Sequence, residues 1–309
     1  MSHLLSHPLN TDTIVNTDHP AELDGLFSAP VVGWHRITRG YTPALRGIAT
    51  LSDGSRVFVK IATNRSTAAW LRTEHRVYSA LPDAPFRPHV SAWRPGDAPA
   101  LALADLSAAH WPPRWRPGDV EAVLAVLDQV SRLDIPDLPP FPADVRQCWE
   151  AVAADPAPLL GLELVSGRWL TEALPRLRAA AAAAVVSGDA VLHADVRSDN
   201  LCLRASGACL IDWNHTCRGN AILDRAFWAP SLHQEGGPQP EVLLGRAPAL
   251  AALVSGFFAS RAGLPIIPSA PRVREVQQSQ LWAALPWAIR ALGLPEADGP
   301  AAHQLLRGR

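Results

Sequence analysis

Between residues 34 and 63 the pattern is β-like in three runs, WHRITRG, ALRGIATLS and RVFVKIAT, and in the last two polar and apolar side chains alternate. A period of two puts the apolar residues on one face of an extended strand. The second and third runs are joined by Ser52-Asp53-Gly54-Ser55, whose residue types favour the tight turn of a hairpin. The period then lengthens. In TAAWLRTEHRVYSAL (67–81), Trp70, Leu71, Val77, Tyr78 and Leu81 recur at helical spacing and can share one face. A proline-rich passage leads to another apolar strand, PALALADL (99–106). The front third thus reads as a small β-rich unit with one internal helix, preceded by a polar strap or short helix over residues 1–30.

After HWPPRWRPGD (110–119) the character changes. Residues 120–133 and 171–187 have the periodicity of amphipathic helices, the latter with Pro175 placed in its first turn, where a missing N–H costs little. LCLR-ASGA-CLID, from residue 201, reads as a short hairpin with Gly207 in its turn. Residues 248–262 and 276–292 are helical again, and Pro286 is expected to kink the last of these. No internal repeat is visible. The expected organisation is a β-rich lobe over 1–103, a connector over 104–111 and a mainly helical lobe over 112–309: an α+β, bilobal architecture.

Composition narrows the function. A net charge of −1 on 309 residues does not provide the basic surface that nucleic-acid binding needs. No apolar stretch has the length of a membrane span, and the first twenty residues lack the basic start and apolar core of a signal peptide. The four cysteines (148, 202, 209, 217) have no C-x-x-C spacing, so free thiols and a cytoplasmic location are expected. No obligate protein partner is evident. Of 28 basic residues only Lys60 is a lysine. Where charge alone matters the chain uses arginine, so a solitary lysine suggests a site that needs a compact ammonium.

The densest chemistry lies in HADVRSDN (193–200). His193, Asp195 and Asn200 have the H-x-D-x-x-x-x-N spacing of a kinase catalytic loop, and LIDWN follows, with Asp212 twelve residues after Asn200. Phosphoryl transfer needs hard Mg²⁺ ions, which take oxygen ligands. Asn200 and Asp212 supply these. Asp195 can then face the acceptor hydroxyl and take its proton, while Arg197 can offset charge on the transferring group. In the same template a strand lysine paired with a helix glutamate positions the α- and β-phosphates of ATP, and Lys60 lies fourteen residues before Glu74. Lys60 and Asp212 should therefore lie together. His193 is expected to be structural, Asp199 a turn residue, and Asp224 an N-cap or loop anchor.

These pieces, VFVK (57–60), Glu74, LALADLS (101–107), HADVRSDN, LIDW (210–213) and Gly219, Asn220 and Asp224 beyond them, resemble the aminoglycoside phosphotransferase and choline kinase family, which shares the protein-kinase fold. The resemblance runs from about residue 35 to 230. It implies a nucleotide-binding first lobe and a hinge whose backbone, at Ala104 and Leu106, holds adenine. It also implies ATP, with GTP as the alternative, and Mg²⁺. A phosphate-covering loop would fall on TRGYTPA (38–44), which holds Gly40 but no G-x-G-x-x-G. The chain departs from the family at Ala194, where glycine is common, and at Gly219-Asn220-Ala221, where Gly-Asp-Pro is usual.

Only eleven residues separate Asp212 from Asp224 and no A-P-E element follows, which leaves little room for a peptide platform. The expected acceptor is a hydroxyl on a small molecule, with inactivation of an aminoglycoside-like antibiotic as the leading reading. Other readings are a metabolic kinase of the choline, sugar or amino-alcohol type, a nucleotide-binding pseudokinase, and a metal-dependent hydrolase built on His193, Asp195, Asp212 and His215.

Overall fold

The computed structural model describes residues 19–38, 43–268 and 270–306. Most of the expected amino-terminal strap, and Gly40 with its loop, lie outside the described residues. The chain falls into two compact units. One runs to Pro113 and includes Leu201–Asn214; the other comprises Arg114–Asn200 and the residues from His215 onward.

In the first unit, strands β1 (Val31–Ile37), β2 (Leu45–Leu51) and β3 (Arg56–Ile61) form an antiparallel meander. Helix α1 (Arg65–Ala80) follows, and then strands β4 (Val90–Arg94) and β5 (Ala100–Ala104). The sheet order is β1-β2-β3-β5-β4. Alternation divides its faces. Trp34, Ala49, Val57, Val59, Ile61, Ala100 and Ala102 pack into one core. Gly47 shares that face because nothing larger fits: a Cβ there would come within 2.4 Å of the Trp34 ring. By the same alternation Arg46, Ile48, Phe58, Lys60, Leu101 and Leu103 belong to the opposite face. Helix α1 begins at a capping box, in which the Asn64 side chain accepts from the Thr67 N–H and Thr67 Oγ1 accepts from the Asn64 N–H. Leu71, Val77, Tyr78 and Leu81 are buried as expected, but Trp70 is 41% exposed.

The second unit contains helices α2 (Asp119–Ser131), α3 (Cys148–Ala154), α4 (Ala157–Leu160) and α5 (Gly167–Ala182), followed by strand β6 (Ala190–Leu192). After the hairpin of the first unit, β7 (Leu201–Arg204) and β8 (Gly207–Leu210), come β9 (Cys217–Gly219), α6 (Ile222–Gln234), α7 (Pro240–Leu244), α8 (Pro248–Ala262) and α9 (Val273–Leu292). Helix α8 packs against α3, α5 and α9. The core there is built on Trp149, Trp169, Leu177, Leu281, Leu285 and Trp287, all essentially inaccessible.

Three expectations change. Helix α5 starts at Gly167, where the Ser166 hydroxyl caps the Trp169 N–H at 3.0 Å, so Pro175 lies in the helix interior rather than its first turn. Gly207, at φ +111°, opens β8 just after the two turn residues. The hairpin expected in the helical lobe belongs to the first unit, where Leu203 pairs with His110 and the Leu210 N–H donates to the Phe86 carbonyl. No helix among the described residues is long and apolar enough to cross a membrane.

Candidate active site

The β2–β3 register sets Arg46 directly opposite Lys60. Lys60 Nζ donates to Glu74 Oε1 (2.9 Å), Glu74 Oε2 (3.0 Å) and Asp212 Oδ1 (3.1 Å). An ammonium has three protons, and these three contacts use them all. Glu74 reaches the site from the middle of α1. Asp212 follows β8 in left-handed backbone (φ +68°), and the buried Trp213 behind it donates from its indole to the Leu210 carbonyl. Lys60 and Glu74 are buried, whereas the Asp212 side chain remains 32% exposed.

These groups line a small recess of about 30 Å³ that opens to solvent, together with Arg46, Trp70 and Asn214. Trp70, expected in the core, instead forms part of its wall. Burial alone would push the Lys60 ammonium down, but Asp212 and Glu74 together hold it above its ordinary value. Burial lifts the Glu74 carboxyl to about 7, against the opposing pull of Lys60. Burial lowers the Arg46 guanidinium, while Asp212 and Glu74 oppose that shift.

The donor set suits a hard cation. Asn214 Oδ1 is buried on the recess wall without a hydrogen-bond partner, beside the Asp212 carboxylate. Asn200, in the second unit, spends its amide nitrogen on Asp195, donating to the backbone oxygen (2.9 Å) and to Oδ2 (2.8 Å). Its amide oxygen is thus the end of the side chain left for a cation. The Asp212 carboxylate and Asn214 Oδ1 in the first unit, and the Asn200 amide oxygen in the second, are each oxygen donors of the kind Mg²⁺ takes.

In the second unit β6 leads into the 193–200 loop. The buried Asp224 carboxylate accepts from the backbone N–H of His193 and of Ala194, each at 2.8 Å, making it the expected loop anchor. Burial raises the Asp224 pKa, opposed by His193 and these two hydrogen bonds. Ala194, where the family commonly has glycine, is held at φ +62°. His193 is fully buried, and its Nδ1 accepts from the Asp195 N–H at 3.3 Å, a structural position. Arg197 pairs with Asp195 (3.4 Å) and Asp199 (3.2 Å). Ser198 donates to Glu235 Oε1 at 2.5 Å, and Trp115 Nε1 donates to Glu235 Oε2 at 3.1 Å. Burial raises the Glu235 carboxyl above its usual range. In the Gly219-Asn220-Ala221 turn, Asn220 accepts from the Ile222 N–H and donates to the Val185 carbonyl.

The connector behaves less simply. The Ala104 N–H donates to the His89 carbonyl, and the Leu106 carbonyl accepts from both the Ala109 N–H and Trp111 Nε1. A carbonyl has two lone pairs. Any adenine contact at Leu106 therefore falls to its N–H.

The phosphotransferase enzyme family profile matches residues 45–262, a span that contains Lys60, Glu74, Asp195, Asn200 and Asp212. The chain belongs to this family. Solved structures extend the likeness to the fold. A choline/ethanolamine kinase family protein from Mesorhizobium loti is 14% identical, with 94% of each chain covered and a TM-score of 0.54. A spectinomycin phosphotransferase, solved with ADP and spectinomycin, is 10% identical over 93% of this chain and 91% of its own, with a TM-score of 0.53. A macrolide 2'-phosphotransferase type I is 17% identical over 92% and 100%, with a TM-score of 0.51. No curated protein sequence matches. The phosphotransferase has the protein-kinase-like fold that the motifs implied.

Sequence reasoning overlooked Arg46, Asn214, Ser198 and Glu235. Arg46 could have been found by folding the hairpin about Asp53, which places residue 46 opposite 60. Asn214 sits two residues beyond Asp212. Nothing local marks Glu235, thirty-seven residues from Ser198.

Proposed function

We propose that this phosphotransferase uses ATP and Mg²⁺ to phosphorylate a hydroxyl group of a small molecule, with ADP as the second product. The observation that carries the reading is the buried Lys60–Glu74 pair, with Asp212 3.1 Å from the same ammonium. A surface-type ion pair would not explain why the chain's only lysine is sequestered there with two carboxylates.

Each residue then has a task. Glu74 binds two Lys60 protons and fixes the ammonium; the third, on Asp212, is the one free to turn toward a phosphate oxygen. Mg²⁺, when bound, neutralises phosphate charge and lowers the barrier to displacement. Asp212 and Asn200 are the residues that would hold it. Asp195, oriented by Asn200, accepts the proton of the acceptor hydroxyl as its oxygen bonds to phosphorus and the bond to the ADP oxygen breaks. Asp224 keeps the loop in place by binding two successive backbone N–H groups. Arg197, next to Asp195, balances charge on the transferring group. A cytoplasmic site of action accords with the use of ATP.

For the acceptor we favour an antibiotic of aminoglycoside-like, polyhydroxylated character; a metabolic amino alcohol or sugar is the alternative. Spectinomycin and macrolide phosphotransferases share the fold. A pseudokinase is disfavoured because Lys60, Glu74, Asp195, Asn200 and Asp212 are all in place. A hydrolase would need a cluster of metal ligands, and none of three or more His, Cys, Asp or Glu occurs among the described residues. An ADP-release screen over aminoglycosides, macrolides, choline, ethanolamine and sugars tests the reading. Acceptor-dependent ADP formation that requires Mg²⁺ is expected; its absence across the panel, with no ATP binding, would refute it.

A further inference from the structure

The triphosphate of a bound nucleotide needs more positive charge than Lys60 can give. All three ammonium protons are engaged, two of them by Glu74 alone. The usual supplement, a glycine-rich loop that turns backbone N–H groups toward the phosphates, has no G-x-G-x-x-G counterpart in this chain. A second cation is nevertheless built into the same wall. Arg46 is the cross-strand partner of Lys60, lies on the same sheet face and lines the same recess as Glu74 and Asp212. Its backbone is set by the β2–β3 ladder, and Nη1 donates to the Ala44 carbonyl at 3.0 Å, which steadies the side chain next to its own strand.

We infer that Arg46 is a second phosphate-binding residue, sharing the ATP triphosphate with Lys60 and supplying through side-chain charge what a glycine-rich loop would supply through its backbone. This rests on the ATP-dependent reading above. A guanidinium suits the task. It carries five N–H donors in a planar fork matched to phosphate oxygens, and it is charged at neutral pH. With Lys60 it gives the recess two cations against the two carboxylates Glu74 and Asp212, so a metal-bound triphosphate enters a wall that is not net negative. Neighbouring strands hold both cations, so the spacing between them is set by the sheet.

A phosphate contact at Arg46 makes binding selective by phosphate number. Dissociation constants for ATP, ADP and AMP, each with excess Mg²⁺, are to be measured by calorimetry on the full-length protein and on Arg46→Met and Arg46→Lys. Arg46→Met should weaken ATP by about tenfold while changing AMP less than about twofold, and Arg46→Lys should recover most of the ATP affinity. Equal loss for all three nucleotides, or no loss for ATP, in a variant whose thermal unfolding matches wild type would overturn the role. If Arg46→Met fails to fold, Arg46→Lys decides: preserved ATP-over-AMP preference supports the role, and loss of all nucleotide binding overturns it. Wild-type protein that binds none of the three would overturn the ATP-dependent reading itself. Wild-type binding with an unchanged ATP-to-AMP ratio in Arg46→Met sinks only the assignment to Arg46.

Discussion

The side-chain nitrogen of Asn200 sits 2.9 Å from the backbone oxygen of Asp195 and 2.8 Å from its Oδ2, so one amide orients the carboxylate through its nitrogen and leaves its oxygen out of that pairing. The i, i+5 spacing in the sequence is thus a hydrogen-bonded unit and not two independent ligands. Removing either member should disturb the other.

Replacement of Asn200 by Asp tests this coupling. A second carboxylate would then stand within hydrogen-bonding distance of Asp195, and like charges so close share a proton. We expect turnover to fall by about a hundredfold or more at neutral pH, within the range for loss of a proton acceptor. Recovery should be partial and confined to higher pH. A pH–rate profile checks it; a flat profile matching wild type would contradict the coupling.

Ala194→Gly should stabilise the protein. Alanine at φ +62° carries a left-handed penalty of about 1–2 kcal/mol, from which the greater unfolded-state freedom of glycine subtracts about 0.5–1 kcal/mol. A net gain of roughly 0.5–1 kcal/mol corresponds to a rise in Tm of about 1–3 °C. Calorimetry measures it directly, and a lower Tm would show that the Ala194 methyl makes contacts that outweigh the strain.

Glu74 titrates with opposite consequences for activity and for folding. Its ionised form grips Lys60, and its carboxyl is raised to about 7, so the grip weakens as pH falls through that value. The kcat/KM for ATP should therefore show an acid limb near pH 7, absent in Glu74→Gln, which is slow throughout. Stability moves the other way. The folded state binds this proton more tightly than the unfolded state, so the contribution is complete below the ordinary glutamate range and is lost as pH rises from there through about 7. Kinetic and unfolding pH series on the two proteins separate the effects.

Glu235→Ala should loosen the catalytic loop without touching the nucleotide. It deprives the Ser198 hydroxyl and the Trp115 indole of their shared acceptor, at about 1–3 kcal/mol of stability for the donors left unsatisfied. With Ser198 released, kcat should fall by about tenfold while KM for ATP stays within about twofold, since geometry at Asp195 and not phosphate binding is affected. Glu235→Gln should restore most of kcat. A change in KM for ATP alone would contradict the assignment.

Much of this was legible in the chain because local rules sufficed. Strands β2 and β3 alternate, and the Ser52–Ser55 turn sets their register. Asp195, Asn200 and Asp212 are close in sequence, and the rarity of lysine singled out Lys60. What was illegible depended on contacts between distant residues or on broken patterns. Strand β4 hides because a register shift between Val90 and Ala92 interrupts its alternation. The start of α5 hides because Gly167 is a poor helix former and only the Ser166 cap declares it. Trp70 has the spacing of a core residue, yet it faces the recess. The hairpin from Leu201 joined the other unit through Phe86, more than a hundred residues earlier.

Nucleotide binding and chemistry should separate at two residues. Wild type, Lys60→Met and Asp195→Ala should be compared for Mg·ATP affinity and for ADP formation with the best acceptor. Asp195→Ala should bind Mg·ATP within about threefold of wild type yet lose turnover by about 10²–10⁴-fold, the range for a lost proton acceptor, whereas Lys60→Met should lose both. Undiminished turnover in Asp195→Ala, or unaltered ATP binding in Lys60→Met, would contradict it.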